Sequence, residues 1–379
     1  MIRAINSDTR NHVVRVISRR GISDNRYSQQ LESARTNVRS TLEKYDRSSF
    51  ILSAYVPEPA RDSFLAIRAF NVEVSKINLK NNYANMGGLT SVDLKFKFWS
   101  DFLSRVFRNP NGNETITEPT MFLIRDSLKQ GVSLNVDYFN TFLNSRKHWL
   151  EKPTFQDIDS ICSFGEGTYS QLIYLQQSTL LSSHISPSAI SLLEESPSIQ
   201  NLTTDIAAHI GQANSIASTL LSLKYYAKQE LVPLPIDVMA EQDLSQDSLI
   251  GYINEISKDK KVKNLELEEK LKNVIFAVST RANDHLLTGR YKLDKLKEEI
   301  KKVSASTNNE LVSKYSKSWR GGIPDVIFVP FMNSIPVDIF IKNLQKKDFN
   351  ILDDRITNSS MNRWRVVWNS FYNYYSRNI

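Results

Sequence analysis

Apolar residues recur at helical spacing along nearly the whole chain, and this period limits the fold more than any other feature. In "SVDLKFKFWSDFLSRVFRN", 91–109, Leu94, Phe98, Phe102 and Val106 fall four apart. "NVRSTLEKYDRSSFILSAY", 37–55, carries Val38, Leu42 and Tyr45 at similar intervals. "PARDSFLAIRAFNVEVSKI" reads as a helix over about 59–77, entered through the two prolines of "VPEPAR". Further helices are expected over 119–130, 135–150, 154–181, 186–195, 200–227, 246–257, 265–288, 291–303 and 335–348. With 12 Gly and 12 Pro in 379 residues, there are too few turn formers for an all-β chain. "NNYANMGG" and "PNGNETITEP" read as loops, and "SWRGGIPDVIFVPFMNS", before Pro336, as irregular or extended. The charged stretch "GRYKLDKLKEEIKKVSASTNNE" reads as a solvated insertion near 290–322. With no internal repeat and no clear linker, one large all-α domain over 23–379 is the simplest organisation.

Composition excludes several classes. The single Cys162 rules out an internal disulfide and any multi-Cys metal site, and reads as a small core residue. His12, His148, His184, His209 and His285 form no i,i+4 pair and no HExxH. GxGxxG, Walker and GxSxG motifs are absent. The longest strongly apolar run, "VIFVPF" at 326–331, is far below the ~20 residues of a membrane span. The net charge of +7 is uneven, since residues 1–22 hold Arg3, Arg10, Arg15, Arg19 and Arg20 against Asp8 alone. That is weak support for nucleic-acid binding, and none is expected. An Arg-rich, acid-poor leader with Ile2, Ile5, Val13, Val14, Val16 and Ile17 on an apolar face has the composition of a mitochondrial presequence. "RRGIS" would then be cut between Ile22 and Ser23, and a disordered basic terminus is the alternative.

Three segments stand out: "YDRSSFILSAYVPEPARDSFLAIRAFNVEVSK" (45–76), "ICSFGEGTYSQLIYL" (161–175) and "HIGQANSIASTLLSLKYYAKQELVPLPIDVM" (209–239). In this order and spacing the chain resembles the squalene/phytoene synthase family, from about residue 34 to the C-terminus. Within it the chain looks most like a non-catalytic branch of mitochondrial complex I assembly factors, through "RAFNVEV", "LPIDV" and "PVDIFIKNLQKKDFNI". The resemblance implies an isoprenoid-synthase-type helical bundle around a central cavity. In the active enzymes two facing Asp-rich helices hold Mg²⁺, a hard cation that takes oxygen ligands and neutralises the leaving diphosphate.

Here those motifs map to degenerate positions. Asn71 and Ser75 stand on the first helix, with Glu73 out of step and Lys76 adding positive charge; Thr219, Ser222 and Leu223 stand on the second. No metal, no cofactor and no catalytic residue is therefore expected. Arg47, in "RSSF", and Arg61 and Arg68, at basic positions of the family, are candidate anion contacts, with pairing to an acid as the alternative role. The tail "RWRVVWNSFYNYYSRNI" mixes aromatics with arginines, so Trp364, Trp368, Tyr372 and Tyr375 are candidate membrane contacts; a terminal helix packed on the core is the alternative.

The resemblance implies a non-enzymatic assembly factor for a respiratory-chain complex, complex I above all. It would lie in the mitochondrial matrix, peripheral to the inner membrane, with respiratory-complex subunits or assembly intermediates as partners. The competing readings are an active prenyl transferase using isoprenoid diphosphates and a metal-free isoprenoid or lipid carrier.

Overall fold

Helices begin where the sequence supplies caps. The computed structural model describes residues 7–78, 90–112, 115–258, 263–357 and 359–379, with side chains described over 26–78, 90–112, 115–258, 263–356 and 363–379. The N-terminal part contains α1 (Ser7–Tyr45), α2 (Arg47–Leu52), α3 (Glu58–Ser75), α4 (Ser91–Arg108), α5 (Pro119–Lys129) and α6 (Val136–Glu151). The middle contains α7 (Ile158–Gly165), α8 (Gln171–Leu180), α9 (Pro187–Glu195), α10 (Pro197–Leu221), α11 (Leu223–Ala227), α12 (Ile236–Glu241) and α13 (Gln246–Lys258). The remainder contains α14 (Leu265–Ser306), α15 (Glu310–Ser316), α16 (Asp325–Phe328), α17 (Ile335–Lys346), α18 (Asp354–Thr357) and α19 (Ser359–Ser376). Thr90 and Asp93 form a reciprocal capping box on α4. Ser196 accepts from the Ile199 amide, with Pro197 in the first turn of α10. Among the described residues there is no strand, only a parallel bridge between Phe155 and Pro235. The all-α expectation therefore holds.

At the centre lies α10. Ile206, Ile210, Ala213, Ile216 and Leu220 have no exposed surface, and the helix is packed by α7, α8, α9, α14 and α17. Its main partner, α14, is a single helix of 42 residues. Leu271, Val274, Val278, Ala282, Leu286, Leu293, Leu296 and Ile300 form its buried stripe. Residues 290–306, expected as part of a charged insertion, are thus the second half of this core helix. Their many charges sit on the faces that the apolar stripe leaves to solvent.

Two other expectations change. On α4 the buried residues are Val92, Phe96, Trp99, Phe102, Leu103 and Val106, while Leu94 and Phe98 are exposed. The helix was legible, but half of the chosen face was not. Between Trp319 and Ile335 the chain makes short helical turns, 320–322, α16 and 329–334, with Ile327, Phe328, Phe331 and Met332 buried. On the leader, residues 1–6 and the side chains of 7–25 lie outside the described residues. The loop expected at 81–88 lies outside them too.

One close approach sets the centre of the bundle. Between α7 and α8 the helix widens into a π turn, Glu166–Ser170, which α10 crosses at Gly211. A Cβ on Gly211 would stand 2.6 Å from Ser170 Cα and closer still to its amide nitrogen. Gly165 meets α10 in the same way, its Cβ position lying 2.7 Å from that of Ser215. Gly211→Ala is therefore expected to destabilise the fold by ~1–3 kcal/mol, because backbone must move. Gly251→Ala, on α13 where nothing lies within 4 Å, should instead stabilise by about 0.5–1 kcal/mol. Urea midpoints of the two variants check both signs.

Candidate functional site

Two walls face each other across the bundle, and helical spacing selects what each presents. From α3, Arg68, Asn71, Val72 and Ser75 come round to one side, followed by Lys76. Opposite them, α10 presents Asn214, Ala217, Ser218 and Leu221. Pro336, Val337 and Phe340 of α17 close a third side, around a cavity of about 500 Å³. The π turn aims Tyr169 between the walls, where its hydroxyl donates to Ser218 Oγ at 2.5 Å. A smaller compartment of about 210 Å³ shares Ser75, Tyr169, Ser218 and Tyr225 with the first and continues toward α6.

Asn71 and Ser75 thus lie on the cavity wall. Thr219 and Ser222 reach the inner compartment, whereas Leu223 is buried and lines neither compartment. Asn214 and Ser218 of α10 line the outer cavity with Asn71 and Ser75, while Ser75 also shares the inner compartment with Ser218, Thr219 and Ser222. Leu223 lies beyond the end of α10, where α11 begins.

The charged groups of the outer cavity are paired. Asp46 Oδ2 accepts from Arg68 Nε at 3.0 Å and from Nη2 at 2.6 Å, while Oδ1 caps α2 through the Ser49 amide. Lys76 Nζ lies 2.6 Å from Glu73 Oε1 and 4.9 Å from the centre of the Tyr45 ring. Arg61 donates to the carbonyls of Ser53 and Val56 and pairs with Glu58, so it clamps the turn before α3. Arg47 lies outside this cavity, 3.9 Å from Glu43 and over the Phe50 ring.

On α19, Val366, Ser370 and the following Arg377 are buried. Trp364, Trp368, Tyr372 and Tyr375 are 76, 71, 60 and 52% exposed, and Phe371 lies beside them. The helix is both docked and aromatic on its outer face. The end of the chain is pinned: Arg377 pairs with Asp325 between the Phe328 and Tyr374 rings, and Arg290 Nε donates to the Ile379 carbonyl at 2.5 Å.

Sequence spacing missed a second constellation. His209 Nδ1 lies 3.0 Å from His285 Nδ1, and His285 Nε2 lies 3.4 Å from Cys162 Sγ. Three helices bring them together from 76 and 123 residues apart, so no local motif could have revealed them. The two nitrogens of His285 turn to different neighbours. Among the described residues, no group of three His, Cys, Asp or Glu side chains could hold a metal ion. Burial pushes the Cys162 thiol up to about 11 and His285 down to about 4, the latter helped by His209 and Arg281.

The profile of the squalene/phytoene synthase family matches residues 42–307. A protein of Drosophila melanogaster, "NADH dehydrogenase (ubiquinone) complex I, assembly factor 6 homolog", is 28% identical over 277 residues, 70% of each chain. The assembly factor 6 of Homo sapiens is 22% identical over 312 residues, 82% of this chain and 73% of its own. Among solved structures, a squalene synthase from Alicyclobacillus acidocaldarius superposes with a TM-score of 0.57 at 11% identity, over 86% of this chain and 96% of its own. That likeness establishes the fold.

The imidazole pair has a consequence for stability. Between about pH 4 and 6.5 the unfolded His285 binds a proton that the folded one does not. Stability should therefore fall as pH drops through this window, and His285→Gln should flatten that part of the curve. Melting temperatures of the two proteins from pH 7 to pH 4 check it.

Proposed function

This chain belongs to the squalene/phytoene synthase family, and from that premise we propose that it is a non-enzymatic mitochondrial assembly factor for a respiratory-chain complex, complex I above all. The observation that carries the reading is the character of the two facing walls. Where the family's chemistry needs carboxylates for Mg²⁺ and diphosphate, Asn71 and Ser75 stand opposite Asn214 and Ser218. Amides and hydroxyls bring no negative charge to a hard dication, so the donor set does not fit the metal. The nearby acids are engaged elsewhere, Asp46 by Arg68 and Glu73 by Lys76. The relatives named for complex I assembly support the choice of client. The composition of residues 1–22 supports the address, with the matrix side as the working compartment.

Peripheral membrane contact is part of the proposal. No helix among the described residues is long and apolar enough to cross a bilayer. The aromatic face of α19, flanked by Arg363, suits the headgroup region, where such rings partition.

Crosslinking and affinity purification of the tagged protein from mitochondria should recover immature complex I subunits, and recovery of none overturns the assembly role. In the same study, purified protein incubated with Mg²⁺ and farnesyl or geranylgeranyl diphosphate should form no hydrocarbon above background; product would restore the transferase reading. In liposome flotation, the unaltered protein should rise with the vesicles and a Trp364→Ser/Trp368→Ser variant should stay at the bottom. Equal flotation removes α19 from the membrane contact.

A further inference from the structure

The inner compartment has a chemistry of its own. Its one charged lining residue is Arg146, on α6, with only 9% of its surface exposed. The half-buried Arg68 and the buried Arg377 each face a carboxylate, Asp46 and Asp325. Among the described residues, no carboxylate forms an ion pair with Arg146, which has the neutral Tyr226 hydroxyl as a neighbour instead. Its Nε and the neighbouring Trp149 Nε1 are buried without a hydrogen-bond partner. The guanidinium lies 5.9 Å from the centre of the Trp149 ring and 5.8 Å from that of Phe164, which offsets part of its lost hydration. Charged side chains are almost never buried to this degree unpaired, and a buried donor without an acceptor points to a bound group.

The other donors converge on the same space. Thr219 and Ser222 line it, and Ser218 accepts from Tyr169, which leaves the Ser218 proton to donate. The compartment adjoins the larger cavity across Ser75, Tyr169, Ser218 and Tyr225, and there Val72, Leu221, Val337 and Phe340 supply apolar wall. We propose that Arg146 receives the oxyanionic head, phosphate or carboxylate, of a single-chain amphiphile whose tail lies in the outer cavity. A guanidinium can hold either head through two parallel hydrogen bonds. The head is centred on Arg146 of α6, away from Asn71 and Asn214, and calls for no metal.

Isothermal titration of the full-length protein with dodecyl phosphate, dodecanoate, dodecanol and inorganic phosphate tests the idea. Dodecyl phosphate or dodecanoate should bind at least roughly tenfold more tightly than dodecanol, the scale of one charge-assisted pair. Arg146→Gln should remove that advantage, and Lys302→Gln, on the exposed face of α14, should leave it unchanged. Equal affinity for dodecanol and dodecyl phosphate overturns the proposal using the unaltered protein alone, whether or not Arg146→Gln folds. No binding by either anionic amphiphile overturns it too. Inorganic phosphate binding as tightly as dodecyl phosphate overturns the tail assignment. A folded Arg146→Gln that binds as before overturns the role of the guanidinium. None of these readouts depends on the assembly role.

Discussion

The crossing of α10 over the π turn at Gly211 and Ser170 is the contact on which the rest of the molecule depends. The backbone of α10 passes there directly over the Ser170 hydroxyl and backbone, leaving no room for a Cβ at position 211. This draws α7, the turn and α8 against one side of α10 while α14 covers another. The π turn contributes more than proximity. Its wider winding rotates Tyr169 toward Ser218, while Glu166 accepts from Tyr174 at 2.7 Å and from Gln212 at 3.3 Å. The same few residues that bring the helices together therefore also shape the cavity. A side chain at position 211 would disturb both.

The cavity walls follow a different electrostatic logic from two facing rows of carboxylates. Such rows repel one another and need a cation between them. Here the walls are neutral and largely satisfied from within. Asn214 Nδ2 donates to the Ile210 carbonyl at 2.8 Å and to the Asn333 carbonyl at 3.1 Å, and Asn333 in turn donates to Gln176 at 2.8 Å. Asp46 and Arg68 cancel at the outer end. Neutral walls can stand apart without an ion between them. The charged residue that lines the inner compartment stands on α6, at Arg146.

Helix content and the main motif segments were legible because both are local. The 3.6-residue period and the order of "RAFNVEV", the Gly165–Gly167 segment and "LPIDV" need no tertiary information. The misreadings share one physical origin. Which face of a helix is buried depends on its neighbours, and a stripe can be drawn through Leu94 and Phe98 as readily as through Phe96 and Trp99. Which side chains of α10 reach which compartment is decided in the same way: Ser218 lines both, and Thr219 only the inner one. The dense charge of 290–306 disguised a core helix, because its buried leucines come only every three or four residues. Arg146, His209 and His285 carry no local signal at all, since their significance lies in what the fold does or does not place beside them.

Surface area sharpens the case of α19. Exposed aromatic rings are unfavourable in water, and a contiguous set on one helix face is uncommon for a surface with no partner. The helix could bury them by rolling about its axis, but its end is not free to roll. Arg377 is inserted between Phe328 and Tyr374 and paired with Asp325, and the Ile379 carbonyl is held by Arg290, itself paired with Asp338. Val366 and Ser370 hold the inner face. A helix fixed at its C-terminal end and along its inner face must present Trp364, Trp368, Tyr372 and Tyr375 outward. The anchoring and the exposed stripe are two sides of one arrangement, in which the buried arginine sets the direction in which the aromatics point.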